Sequence, residues 1–171
     1  MKKIIVGISV LSLLFISCDK LQDDKMESAT TITKGEDRTD LKEDNMKEEG
    51  EKFLKEMESK EGVSKTASGL LYEVVVEGEG SSPLSSNSVK VNYTGMFLDG
   101  KVFDSTEGKK PIEFGLTQVI SGWTEGLQLM NKGAKYKFYI PYQLAYGPQG
   151  YPGAIPPFSA LIFEVELIDY K

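Results

Sequence analysis

Hydrophobic and polar positions change their pattern four times along this chain of 171 residues. Ile4 to Ile16 is a nearly unbroken apolar run. From Asp19 to about Asp40, apolar residues become scarce and show no period. Over residues 41–60 they return at helical spacing, with Met46, Phe53, Leu54 and Met57 roughly on one side. Opposite-charge pairs Lys47/Glu51, Glu51/Lys55 and Glu56/Lys60 fit the same helix, and Asp40 with Glu43 resembles a capping box at its start. Gly50 in its middle costs about 1 kcal/mol relative to alanine. Glu61 to Ser68 reads as a short polar joint. Beyond it the period becomes two: strands are predicted at Leu70–Val76, Val89–Phe97, Ala134–Ile140 and Ala160–Ile168, with short extended pieces at Val102–Asp104 and Ile112–Phe114 and a turn at Asp99-Gly100. One short helix opens at Ser121, with Trp123, Leu127 and Met130 on one face and Lys132-Gly133 closing it. Many strands around one short helix predict an α+β domain on an antiparallel sheet.

The first segment reads as an address. Lys2 and Lys3 precede the apolar run, which is too short for an ordinary membrane-spanning helix of about 20 residues. The single cysteine, Cys18, follows directly after Ser17, and Phe15-Ile16-Ser17-Cys18 resembles a bacterial lipobox with Phe15 in place of the more usual leucine. The expectation is a lipoprotein signal peptide at 1–17, an acylated and disordered tether at 18–40, an amphipathic helix at 41–62 and a folded domain at 66–171. Acyl chains on Cys18 would hold the chain to a membrane in the bacterial cell envelope, each buried methylene contributing about 0.8 kcal/mol. The 20 basic side chains less the two of the signal leave 18 against 26 acidic ones, a net of −8. Lipid, and not charge, would then hold the protein at an anionic surface.

Composition narrows the chemistry. With no histidine and one cysteine, Ser-His-Asp and Cys-His catalysis, histidine-ligated zinc and an internal disulfide are excluded. A formal charge of −6 argues against nucleic acid as a partner. No metal or cofactor is expected. What remains is a shaped apolar pocket with hydroxyls, carboxylates and backbone amides.

Seven motifs in the second half carry a resemblance. Tyr93-Thr94-Gly95, Asp99-Gly100-Lys101, Phe103-Asp104-Ser105, Val119-Ile120-Ser121-Gly122-Trp123, Ala145-Tyr146-Gly147, Gly153-Ala154-Ile155-Pro156-Pro157 and Leu161-Ile162-Phe163-Glu164-Val165-Glu166-Leu167 resemble the successive motifs of FKBP-type peptidyl-prolyl isomerases. They stand in family order and at family spacing. Gly62-Val63 and Thr66-Ala67-Ser68-Gly69-Leu70 are similar to the opening of the domain in bacterial envelope members. The resemblance implies an antiparallel sheet wrapped around a short helix. It implies isomerisation of X–Pro bonds in polypeptides during folding, with macrolides as inhibitors. The single short helix at 41–60 is expected to dock its Phe53/Leu54/Met57 edge onto the domain of a monomer. The resemblance offers weak dimerisation as the alternative, since some relatives carry a long helical dimer module there.

An X–Pro bond rotates over a barrier of about 18–20 kcal/mol and takes tens to hundreds of seconds unaided. Twisting removes amide resonance and with it polarity, so a dry apolar pocket favours the twisted form without any covalent step. By the resemblance, Trp123 is the floor for the prolyl ring, and Tyr93, Phe103, Val119, Ile120 and Phe163 are walls. The Ile120 amide and Tyr146 hydroxyl would donate to substrate carbonyls, Asp104 would sit beside the twisting carbonyl, and Ile155 would contribute from the flap after Tyr146. Taken singly, each of these aromatics is an ordinary core residue; only their joint pattern argues for a pocket. At the rim, Ile112 stands where many relatives place an aromatic, Tyr151 where some carry histidine, and Ala154 is small. A competing reading is a binding module that uses the same groove without turnover.

Overall fold

The computed structural model describes residues 38–171. The signal segment, Cys18 and most of the tether lie outside them. Helix α1 (Arg38–Glu58) is followed by β1 (Val63–Lys65), β2 (Leu71–Val76), β3 (Ser88–Met96), β4 (Val102–Ser105), β5 (Ile112–Gly115), helix α2 (Ser121–Leu127), β6 (Lys135–Ile140) and β7 (Leu161–Tyr170). Two 3₁₀ turns, Tyr142–Leu144 and Gly147–Gln149, lie between β6 and β7. All pairings are antiparallel, in the order β1-β2-β6-β7-β3-β4, with β5 also on β3. The expected α+β fold, a sheet around a short helix, is observed.

Four local expectations are corrected. Helix α1 begins at Arg38, two residues before the Asp40 expected to open it. The joint after it is not irregular: Val63–Lys65 forms β1 on β2, registering Val63 with Glu73 and Lys65 with Leu71. A strand of three mostly exposed residues has too few positions for a period to show. Helix α2 stops at Leu127 and not at Met130. Lys60 lies beyond the end of α1 and pairs with Glu73 of β2 at 3.1 Å in place of Glu56.

Alternation along the central strands decides what each face carries. On β7, Leu161, Phe163, Val165 and Leu167 point into the main core with Trp123, Leu127, Phe138 and Ile140. Ile162 points the other way, joining Leu71 and Tyr139 beneath Phe53, Leu54 and Met57 of α1. Farther along the same outer face stand Glu164 and Glu166, which pair with Lys137 at 3.2 Å and with Asn92 at 2.9 Å. So α1 covers the one end of the outer face that is apolar. Gly50 lets it come close: a Cβ there would meet the Ala160 Cβ at 3.2 Å.

Helix α2 approaches the inner face closer still. A Cβ on Gly122 would lie 2.6 Å from Ile140 Cγ2, and one on Gly126 would lie 2.7 Å from the Phe138 ring. Both are shorter than real side chains adopt, so these two positions, one turn apart, admit only hydrogen. Phe138 is fully buried and cannot yield. The helix thus lies almost backbone to side chain on the sheet, and Trp123 beside Gly122 is pinned to a fixed height.

Gly126→Ala should therefore lower the unfolding free energy by about 1–3 kcal/mol, because overpacking outweighs the better helix propensity of alanine. Urea titration of the full chain measures this, and a gain in stability would refute the contact. A second expectation concerns the docking of α1. Glu73 accepts from Lys60 Nζ and, at 3.0 Å, from Tyr139 Oη. The Lys60 hydrogen bond first, then Tyr139 against some desolvation, holds the Glu73 carboxyl below its ordinary value. A carboxylate depressed on folding stabilises above its unfolded value, and that contribution disappears as pH falls through the folded one. Glu73→Gln should cost about 0.5–1 kcal/mol at pH 7 in this partly exposed pair. The difference should shrink below pH 4, and an equal loss at both pH values would contradict the ion pair.

Candidate active site

Beside α2, between the sheet and the segment 114–120, lies a cavity of about 280 Å³. Its walls are Tyr93, Phe103, Asp104, Phe114, Gln118, Val119, Ile120, Trp123, Tyr146 and Phe163. The structure brings together all six residues expected to be catalytic, and Val119 and Ile120 with them. Trp123 is 4% exposed, yet it faces this hollow. Three ring planes stand almost perpendicular to its indole: Tyr93 at 86° and 5.1 Å, Phe114 at 85° and 5.7 Å, and Phe163 at 81° and 5.4 Å. That is the geometry of walls on a floor, and edge-to-face pairs of this kind contribute about 0.5–1.5 kcal/mol each beyond burial. The indole Nε1–H is enclosed and has no acceptor among the described residues. The site tolerates that cost, about 1–3 kcal/mol, to keep its floor apolar.

A bulge makes the remaining wall. Along a regular strand, neighbours point to opposite faces. Yet Gly95 registers with Asp104 and Met96 with Val102, which leaves Phe103 without an opposite residue. The extra residue turns Phe103 inward beside Asp104, so both reach the cavity. Gly95 makes room beneath: a Cβ there would stand 2.6 Å from Phe103 Cζ and 2.8 Å from Phe163 Cε1. Without a side chain at 95, the two rings meet at 5.6 Å in an edge-to-face pair.

The polar groups divide into engaged and free. Tyr93 Oη donates to Asp104 Oδ2. Burial first, then the Asp104 carboxylate, push the Tyr93 phenol far above its ordinary range, so it stays a neutral donor. Burial and the Asp104 charge also raise Tyr146. Its ring is 37% exposed at the rim, 5.8 Å from Tyr151, and its backbone lies near φ −99°, ψ 7° at the start of the second 3₁₀ turn. Ile120 caps α2: its carbonyl accepts from Trp123 N at 2.9 Å and Thr124 N at 3.1 Å. Its own N–H has no acceptor among the described residues. The cavity therefore combines apolar walls, two neutral hydroxyl donors and a backbone donor, with no nucleophile held by a base.

Ile155 is placed otherwise than expected. It is 5% exposed, belongs to the core cluster and does not line the cavity. Its N–H and C=O both bond to Tyr151, each at 2.8 Å, so it anchors the flap from below. Two wall residues were missed in the sequence. Phe114 walls the cavity, while Ile112, at the position where many relatives place an aromatic, is 40% exposed. The alternation of Ile112 and Phe114 on one strand face held that signal. Gln118 lies in an irregular loop and had none. A larger hollow of about 420 Å³ on the outer sheet face is walled by Asn92, Lys135, Glu164 and Glu166. Its paired charges suit no apolar guest.

Residues 80–168 match the model of the FKBP-type peptidyl-prolyl cis-trans isomerase family, and residues 16–74 match that of the domain amino terminal to it. A probable FKBP-type peptidyl-prolyl cis-trans isomerase of Haemophilus influenzae is 52% identical over 124 residues, covering 72% of this chain and 52% of that one. The outer membrane protein MIP of Legionella longbeachae is 45% identical over 131 residues, covering 76% and 56%. The crystal structure of FkpA from Escherichia coli superimposes with a TM-score of 0.74 at 43% identity, over 78% of this chain and 62% of that one. The chain spans little more than half the length of these curated relatives. With its sheet wrapped around α2 and an aromatic hollow at Trp123, this chain belongs to the FKBP-type peptidyl-prolyl cis-trans isomerase family.

Proposed function

We propose that this chain is a peptidyl-prolyl cis/trans isomerase acting, without cofactor, on proline-containing polypeptides of the bacterial cell envelope, to which lipid on Cys18 tethers it. The observation that carries the reading is the aromatic box: an indole floor, three perpendicular rings and the Tyr93–Asp104 pair at its rim. A prolyl ring fits a dry hollow of this size. Its imide loses resonance as it twists, and an apolar surround opposes the flat, more polar form more than the twisted one. The Ile120 N–H and Tyr146 Oη would hold substrate carbonyls, fixing one half of the bond while the other rotates; that both residues line the cavity supports this. Asp104 keeps the Tyr93 phenol oriented and places negative charge beside the rotating carbonyl. The same hollow would accept a macrolide such as rapamycin. The helical face of α1 is spent on its own sheet, which supports a monomer.

The envelope assignment rests on the apolar segment, Cys18 and a relative named as an outer membrane protein. Metabolic labelling with an alkyne fatty acid should mark the wild-type chain and not Cys18→Ser, and equal labelling would refute the anchor.

Activity is tested by protease-coupled isomerisation of a short X–Pro peptide. The full chain should accelerate it, and rapamycin should abolish the acceleration. The Tyr146→Phe, Asp104→Leu double variant should lose at least about tenfold in kcat/KM, corresponding to roughly 1.4 kcal/mol of transition-state stabilisation. Unchanged rates would remove these residues from the mechanism. Gly95→Ala should drive the Phe103 and Phe163 rings apart and lower kcat/KM similarly. Circular dichroism should show the sheet retained, and full activity in this variant would refute the packing of that wall.

A further inference from the structure

The proline cavity adjoins a second, larger depression. A groove of about 510 Å³ runs along the outer edge of β4, walled by Val102, Phe103, Asp104, Ser105 and Lys109 among others. Phe103 and Asp104 wall both hollows, so a single partition separates them. Strand β4 ends the sheet, and its outer edge has no strand partner among the described residues. Such an edge presents backbone donors and acceptors to any extended chain.

Register shows which groups these are. Thr106 N donates to Tyr93 O at 3.0 Å, which makes that pair a hydrogen-bonded one. Hydrogen-bonded and open pairs alternate along an antiparallel ladder, so the next pair, Thr94 with Ser105, is open. The N–H and C=O of Ser105 therefore point away from β3, into the groove. The carbonyl already accepts Lys109 Nζ at 2.9 Å. The N–H has no acceptor among the described residues. One step along the edge, Val102 is an apolar side chain left 50% exposed.

Resting on the isomerase reading above, we propose that the substrate residues preceding the proline lie in this groove as an added strand on β4, paired to the Ser105 backbone and resting an apolar side chain on Val102. Continuity with the cavity identifies the occupant: a chain whose prolyl ring faces Trp123 leaves the box past Phe103 and Asp104. Sterics identify the side. The residue before a proline is driven out of the helical region into extended conformations, so the upstream segment arrives already strand-like. Four residues of β4 offer about 13 Å of edge, enough for four residues of an added strand. The bulge that aims Phe103 inward is thus also where the added strand would turn into the box.

The test uses the full chain and three peptides sharing one X–Pro core: the bare tetrapeptide, the same core extended by four residues upstream, and the core extended by four residues downstream. Rates come from two-dimensional exchange spectroscopy. Upstream extension should raise kcat/KM about fivefold for each net backbone hydrogen bond gained, through KM, and downstream extension should not. N-methylation of alternate upstream amides should erase the gain, while methylation of the intervening amides should spare it. Equal effects of the two extensions, or sensitivity to methylation without a period of two, would overturn the added strand and leave the isomerase reading standing. A tetrapeptide that is not accelerated at all would overturn both.

Discussion

Everything at the site depends on how near a two-turn helix can come to a sheet. Gly122 and Gly126 present hydrogens where Ile140 and Phe138 leave no space for carbon. That contact sets the level of Trp123, and three rings are then arranged upright around the indole. A larger side chain at either glycine would lift the floor of the cavity. The hollow is therefore a product of core packing, and its shape and the stability of the domain draw on the same contacts.

The polar part of the site follows the opposite logic. Only a few groups face the hollow, and the strongest of them are occupied with one another. Tyr93 donates its hydroxyl hydrogen bond to Asp104 and keeps its proton, which leaves a neutral ring on the inner side and the charge at the edge. The remaining donors, the Ile120 amide and the Tyr146 hydroxyl, line the same cavity and carry no charge. A water-poor interior is kept by letting no ion face it unpaired.

Much of this was legible in the chain. Strict alternation in Leu161–Leu167 located β7, and its outward residues, Ile162 and then Glu164 and Glu166, even show where α1 covers the sheet. Eight of the residues singled out through the family motifs line the cavity. The failures have physical causes. Periodicity has nothing to act on in a strand as short as Val63–Lys65. The pairing of Phe114 with Trp123 is a fact of tertiary packing, and Ile112 two residues earlier satisfies the same local pattern. Ile155 lies in a flap segment whose hydrogen bonds to Tyr151 turn it into the core, which no local spacing encodes. Lys60 abandoned its helical neighbour because the helix ended before reaching it.

The bulge at Phe103 also governs where this domain can change length. Two adjacent residues must face the same side, and only a mismatch in residue count between β3 and β4 allows it. Deleting Val102 would pair Phe103 with Met96, restore regular pleating and rotate either the ring or the carboxylate out to solvent. The hairpin tip at Asp99-Gly100, by contrast, is exposed and free of the sheet's bookkeeping. Insertions of any length there leave the count in the strands untouched, so lineages can lengthen this hairpin at its tip while the four residues behind it stay locked in number.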